Sequence, residues 1–481
     1  MRKSILTLAR VLPLAFAAAC ASTYIDPYNG NGNGNGNGNG DGGTGDGGTG
    51  TVGCVGRQCQ INYKCPAGSP TTLTGVVTIP AGNLPLYNAN VYIPSGEIPP
   101  APVSGPSCDR CEQIVPLDVA AKTTTDVNGS FTLTNIPSGK DIPLVIRVGK
   151  WRRVITIPSV TDCTSTPIAA TETRLPRNRT EGNIPKIALS TGNQDALECL
   201  LRSNKLGLDD SEFTTPAGGG SVNLYAGGQR FNGTAGTDSY MPTLNGGAPF
   251  PSSNPWWNDV NNWNKYDIVL LSCEGDQNAG FKSPAAHAAL ETFVNNGGRV
   301  FASHWHNIWL SGATPPLSTV ASFVDSSAGG YINDLTPITT DINQSFPKGK
   351  ALAQWLQLPS VGGSTQLGKL MINNSRVTLT GRDTSKTQDW ADYTDAGNLT
   401  PPLTNPASQY FSFNTPLTAP PQNQCGQMVF TDIHVSGGKS DVSNPQKPFP
   451  SGCTSTGLTP QEKALIFLLF DLTNCLSTVI G

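Results

Sequence analysis

Beyond Ile184 the chain alternates short apolar runs with stretches of helical spacing, and few folds accommodate that rhythm. Ile184-Pro-Lys-Ile-Ala-Leu-Ser190, Val222-Asn-Leu-Tyr225, Tyr266-Asp-Ile-Val-Leu-Leu-Ser272 and Arg299-Val-Phe-Ala-Ser303 read as buried strands. Between them, Asp195 to Leu206 puts Leu197, Leu200 and Leu201 on one stripe. Ala285 to Asn295 does the same with Leu290, Phe293 and Val294, and ends at Gly297-Gly298. A last helix opens at Thr459-Pro460-Gln461-Glu462, a capping box with proline at the first helical position. The alternation predicts a doubly wound, mostly parallel α/β sheet. It lapses between Thr314 and Gln424, where Pro, Thr, Ser and Asn dominate and strand-like pieces stand at Val377–Thr380 and Tyr410–Phe413. A structureless loop of that length does not suit a compact domain. Residues 314–424 are therefore expected to form an inserted, mainly β subdomain over the sheet's carboxyl edge.

Upstream the texture is different. Thr74–Pro80, Ala89–Ile93, Ser130–Thr134 and Leu144–Val148 are short, β-branched and punctuated by Gly, Pro and Asn. Asn128-Gly129 is placed as a hairpin turn between alternating strands. Gly75-Val76-Val77, Ala89-Asn90-Val91, Thr125-Asp126 through Asn128-Gly129 to Phe131, and Ile136-Pro137-Ser138-Gly139 together resemble the carboxypeptidase regulatory-like domain. The resemblance implies a prealbumin-type β-sandwich over residues 54–180, acting as a spacer or binding module. The cysteine-bearing segment Pro99–Glu112 lies outside that pattern.

The N-terminus reads as an export address. Arg2, Lys3 and Arg10 accompany an apolar run from Val11 to Ala19, too short to span a bilayer in a mature protein. Ala17-Ala18-Ala19-Cys20 resembles a bacterial lipobox, which implies that residues 1–19 are removed and Cys20 is acylated. Asn29 to Gly53 is almost entirely Asn-Gly, Gly-Gly-Thr and Gly-Asp. Such a stretch buries no core and behaves as a coil reaching about 25–30 Å. Residues 20–53 are expected to be a lipid-anchored tether. Ala21 lacks the aspartate that retains many lipoproteins at an inner membrane, which favours the outer membrane under enterobacterial sorting.

Charged residues make up only 14% of the chain and the net charge is −3, so there is no electrostatic footprint for nucleic acid. Twelve cysteines suit an oxidising compartment, and acylating Cys20 leaves an odd number. Cys54, Cys59, Cys65, Cys108, Cys111 and Cys163 are enough for three bridges within the first domain, with the connectivity open. Cys199, Cys273, Cys425, Cys453 and Cys475 are the later candidates; Cys273 either pairs with Cys199 or stays free. Cys108-Asp-Arg-Cys111 is also compatible with half of a zinc site, but no second ligand pair stands at finger spacing.

Three of the four histidines sit where apolar runs end, in Arg299-Val-Phe-Ala-Ser-His-Trp-His-Asn307 and Met428-Val-Phe-Thr-Asp-Ile-His-Val-Ser436. In open α/β sheets that is where ligands bind. The order Tyr266–Gly275, helix, Gly297–Ser303, insertion, Met428–His434 is similar to the class I glutamine amidotransferase-like fold, and to its ThuA-like branch in particular. The resemblance implies a flavodoxin-like domain over 184–313 and 425–481. It puts Cys273-Glu274-Gly275 at the oxyanion loop, His304 at the position of the cysteine nucleophile and His434 at the triad histidine. Val435 and Ser436 replace the rest of the triad motif, so amide chemistry has lost its thiolate and its orienting acid.

Extended backbone would turn His304 and His306 to one side, and Asp432 and His434 likewise. Those four residues are the expected metal set, with zinc or another divalent ion as the occupant and Glu274 nearby. Glu274, His304, Trp305, His306 and His434 are the expected ligand contacts, and His304, His434 and Glu274 the candidates for any catalysis. Trp256, Trp257, Trp263, Trp305 and Trp309 would suit a sugar face if exposed. Three functions remain open at this point. The first is an envelope lipoprotein that binds a glycan or a metal without turnover. The second is a metal-dependent hydrolase. The third is a purely structural envelope component.

Overall fold

The computed structural model describes residues 54–192, 194–203, 205–229, 235–236, 250–324, 332–335, 337–373, 375–394, 406–435 and 457–476. The export segment, Cys20, the Asn/Gly tether, Ser436 and Cys453 lie outside the described residues.

The first seven strands are β1 (Thr72–Val76), β2 (Asn90–Pro94), β3 (Val119–Thr124), β4 (Ser130–Thr134), β5 (Gly139–Val148), β6 (Trp151–Val160) and β7 (Ser165–Pro167). They make a three-stranded sheet in the order β4-β1-β7 and a four-stranded one in the order β3-β2-β5-β6. Period-two patterning drives this: along β4, Phe131 and Leu133 are buried while Thr132 and Thr134 are exposed. Leu73, Phe131 and Leu133 of one sheet share a core with Val91, Ile93, Leu144 and Ile146 of the other. The Asn128-Gly129 turn forms, with Gly129 at φ +71° and the Asp126 carboxylate accepting from the N–H groups of Asn128 and Ser130. It does not close a hairpin, because β3 pairs with β2 while β4 pairs with β1. Turn chemistry specifies the reversal but not which sheet the next strand joins.

The large sheet is built around β8 (Ile187–Ser190), β10 (Val222–Tyr225), β13 (Ile268–Leu271), β14 (Arg299–Ser303) and β23 (Gly426–Thr431). These five are parallel and stand in the order β10-β8-β13-β14-β23, with the short β9 (Phe213–Thr214) flanking β10. Renumbered along the chain, the five give 2-1-3-4-5, the flavodoxin-like order, with its switch point between β8 and β13. Successive residues feed opposite cores. Ile187, Leu189, Ile268, Leu270, Phe301 and Val429 face one. Ala188, Val269, Leu271, Val300, Ala302, Met428 and Phe430 face the other. Helices Leu197–Leu201 and Pro460–Thr473 cover the first side, and helix Pro284–Asn295 the second. The expected Asp195–Leu206 helix is thus much shorter than its leucine stripe suggested.

Residues 314–424 do not lie over the sheet edge as a separate subdomain. Four of their strands continue the sheet sideways: β17 (Ile338–Ile342), β18 (Lys369–Ile372), β21 (Gln388–Tyr393) and β22 (Ala407–Thr415), in the order β18-β17-β21-β22 against β23. All these pairings are antiparallel. The remaining strands pair as small ribbons, β11 (Gly227–Gln229) with β12 (Ala235–Gly236), β15 (Ala321–Phe323) with β20 (Leu379–Arg382), and β16 (Ile332–Leu335) with β19 (Ser375–Val377).

The last helix begins as its capping box requires: Thr459 Oγ1 accepts from Glu462 N–H and the Glu462 carboxylate accepts from Thr459 N–H. Its buried aromatics tie the two regions together, Phe467 stacking on Tyr87 at 5.8 Å and Phe470 meeting Trp151 at 5.5 Å. Covalent bonds reinforce that seam. Cys54–Cys59 and Cys65–Cys163 stay within the first region, but Cys108 is bonded to Cys425 and Cys111 to Cys475. This corrects both the expectation of three local bridges and the zinc reading of the Cys108/Cys111 pair. A buried Lys150–Asp267 ion pair at 2.6 Å lies along the same seam, with Gly105 N–H donating to Asp267 at 2.8 Å.

Candidate functional site

The carboxyl ends of β8, β13, β14 and β23 converge at one edge of the sheet, so residues far apart in sequence meet there. β14 stops at Ser303 because His304 adopts φ +47°, a left-handed conformation that β sterics cannot continue. A 3₁₀ turn, His304–Asn307, follows. Strand alternation therefore breaks at the residue where the metal expectation needed it, and His304 and His306 enter different surroundings. A non-glycine residue held at positive φ is stored backbone strain of the kind found at functional sites.

His304 Nδ1 lies 3.2 Å from the thiol sulfur of Cys273, and its ring is 5.0 Å from that of His434, edge to face. The ligand-capable atoms of Cys273, His304 and His434 all lie within 4.8 Å of one another, and all three side chains are buried. Among the described residues, His304 Nε2 and both ring nitrogens of His434 have no hydrogen-bond partner. Buried imidazole nitrogens without partners carry a desolvation cost that nothing among the described residues offsets. Burial pushes both histidines well below their usual range, with Arg376 adding to the effect and His434 also acting on His304. Both rings are therefore neutral at pH 7. Cys273 is free rather than paired with Cys199, which is itself disulfide-bonded. Burial pushes the Cys273 thiol up to about 12, against the opposing pull of backbone N–H groups from Trp305 and Gly275.

His306 is settled in a different way. Trp309 Nε1–H donates to its Nδ1 at 2.9 Å, so Nε2 carries the proton and donates to the Ser272 carbonyl at 2.8 Å. Both nitrogens are used, and burial pushes the ring down to about 4. Glu274 pairs with Lys282 at 2.6 Å and accepts from Asn278 at 2.9 Å. Burial alone would raise its pKa, but Lys282 and His306 outweigh burial and the net shift is downward. Asp432 accepts from the backbone N–H and the hydroxyl of Thr378, both at 2.8 Å, and burial raises it to about 6. The structure thus replaces the expected set of His304, His306, Asp432 and His434 with Cys273, His304 and His434. It places Glu274 beside His306 rather than in that cluster.

Sequence reading missed the supports. Asp195 accepts from Ser303 Oγ at 2.6 Å and from Val435 N–H at 2.9 Å, linking the chain after β8 to the last residue of β14 and to the chain after β23. Gln461, at the head of the last helix, donates to the His434 carbonyl at 2.7 Å. The signal available for Asp195 was its place just past a strand at the switch point. Nothing local marks Gln461. The five tryptophans considered for sugar binding are all buried, including Trp305, and offer no open aromatic face.

No family model matches the chain, and no curated protein matches it. Among solved structures it is similar to a ThuA-like protein from Bacteroides uniformis ATCC 8492, with 11% identity over 47% of this chain and 77% of that one, at a TM-score of 0.27. It is also similar to a ThuA-like protein from Parabacteroides merdae ATCC 43184, with 13% identity over 59% of this chain and 87% of that one, at a TM-score of 0.31. The flavodoxin-like character of the domain rests on its own 2-1-3-4-5 strand order.

Proposed function

We propose that this chain is a cell-envelope lipoprotein whose amidotransferase-like domain binds a metal ion at its strand ends and performs no turnover. Acylation at Cys20 would anchor it in the outer membrane, the tether would hold it clear of the surface, and the regulatory-like region would serve as spacer or adhesion module. The observation that carries the metal reading is the set of three buried ring nitrogens on His304 and His434, unpartnered among the described residues, beside the Cys273 thiol. A metal ion takes one nitrogen from each ring together with the thiol sulfur, and so offsets part of their desolvation cost.

The hydrolase alternative loses its support, because His306 and Asp432 are fully engaged elsewhere. A glycan ligand at this edge lacks exposed aromatic faces. Two measurements test the proposal. Untagged full-length protein should carry one equivalent of a first-row metal by elemental analysis, and a His304→Ala/His434→Ala variant should carry none. Metal-free protein in both cases would overturn the binding reading. A Cys20→Ser variant should move from the membrane fraction to the soluble one; retention in membranes would refute the anchor.

A further inference from the structure

Building on that metal reading, we infer that the ion held by Cys273, His304 and His434 is copper(I), bound by three donors, rather than zinc. The donor set is one sulfur and two imidazoles. Thiolate selects soft ions, and copper(I) among the first-row metals is the softest. Structural zinc closes its shell with four donors, usually in a tetrahedron.

Among the described residues, the neighbouring groups able to supply a fourth are already engaged. Both nitrogens of His306 are bonded. Asp195 holds Ser303 and Val435. Both oxygens of Asp432 accept from Thr378. Glu274 is paired with Lys282. Among the described residues this leaves a three-donor site, which copper(I) fills and zinc leaves open.

Forming the sulfur–metal bond breaks the Cys273 S–H bond and passes its proton to solvent.

The test uses the full-length protein with its disulfides intact, loaded without oxygen. Protein holding one equivalent of zinc(II) is challenged with one equivalent of copper(I) supplied as its acetonitrile complex. Copper should displace zinc completely. Cys273→Ser should weaken copper(I) binding by more than the ~100-fold that an outer-shell change costs. His306→Gln, outside the cluster, should match the parent. Zinc retained against copper(I) would overturn the copper assignment while leaving the metal-binding proposal standing. Failure to hold either ion would remove both. Should Cys273→Ser fold poorly, the displacement experiment on the parent protein still decides.

Discussion

Replacing Cys111 and Cys475 together with serine is expected to lower the unfolding free energy by about 4 kcal/mol. The two residues are 364 positions apart and their bridge runs beside Cys108–Cys425, which spans 317. With the Cys108–Cys425 bridge in place, the second closes a further circuit of only roughly 50 residues, and chain entropy for a loop of that size sets the figure. The companion Cys54→Ser/Cys59→Ser variant removes a bridge with a separation of 5 and should cost about half as much. Urea unfolding followed by tryptophan fluorescence gives both values. A loss below about 1 kcal/mol for the Cys111/Cys475 pair would mean that noncovalent packing along the seam already does the work assigned to the bridge.

The second large effect is a pH dependence that appears only by difference. His306 is lowered from its ordinary 6.5 to about 4 by burial. Below pH 6.5 the unfolded chain takes up a proton that the folded protein refuses, so stability is lost progressively until about pH 4. At ~1.4 kcal/mol per unit the loss reaches about 3 kcal/mol. Two carboxyl groups work in the other direction. Asp389, pushed up to about 8 by burial and by Asp392, and Asp432, raised to about 6, bind protons more readily folded than unfolded. Their contribution to stability grows as the pH falls, which mutes the acid response of the whole protein. His306→Gln isolates the histidine. The stability gap between parent and variant should narrow by about 3 kcal/mol between pH 7 and pH 4. A gap that stays constant across that range would show that the folded protein protonates His306 as easily as the unfolded one does.

The parallel core was legible because each of its strands is buried on both faces and therefore written as a continuous apolar run. Val222–Tyr225 and Arg299–Ser303 match their expected limits. The capping box at Thr459 was equally legible, since its two hydrogen bonds involve residues three apart. What failed was non-local. Strands β17, β18, β21 and β22 have ordinary local sequences, and their joining the main sheet depends on pairing with β23 and with one another. The metal set failed through one backbone angle: positive φ at His304 ended the alternation that would have aligned it with His306. The sequence leaves Cys273 as an oxyanion-loop residue that is either free or disulfide-bonded, and the structure makes it free; its place beside His304 and His434 stays hidden because nothing in its own segment announces them. They reach it only once three separate strand ends are side by side.

The lateral extension of the large sheet also governs how copies of this protein can meet. An open sheet offers unpaired N–H and C=O groups at its two flanks, and such flanks seed edge-to-edge aggregation. One flank here is β9, only two residues long, too short to template a ladder. The other is β18, four residues long, with Met371 exposed and Lys369 in an ion pair with Asp341 of the neighbouring strand. Among the described residues, growth of the sheet by addition of another chain therefore has a single place to begin, and a lysine stands at its start.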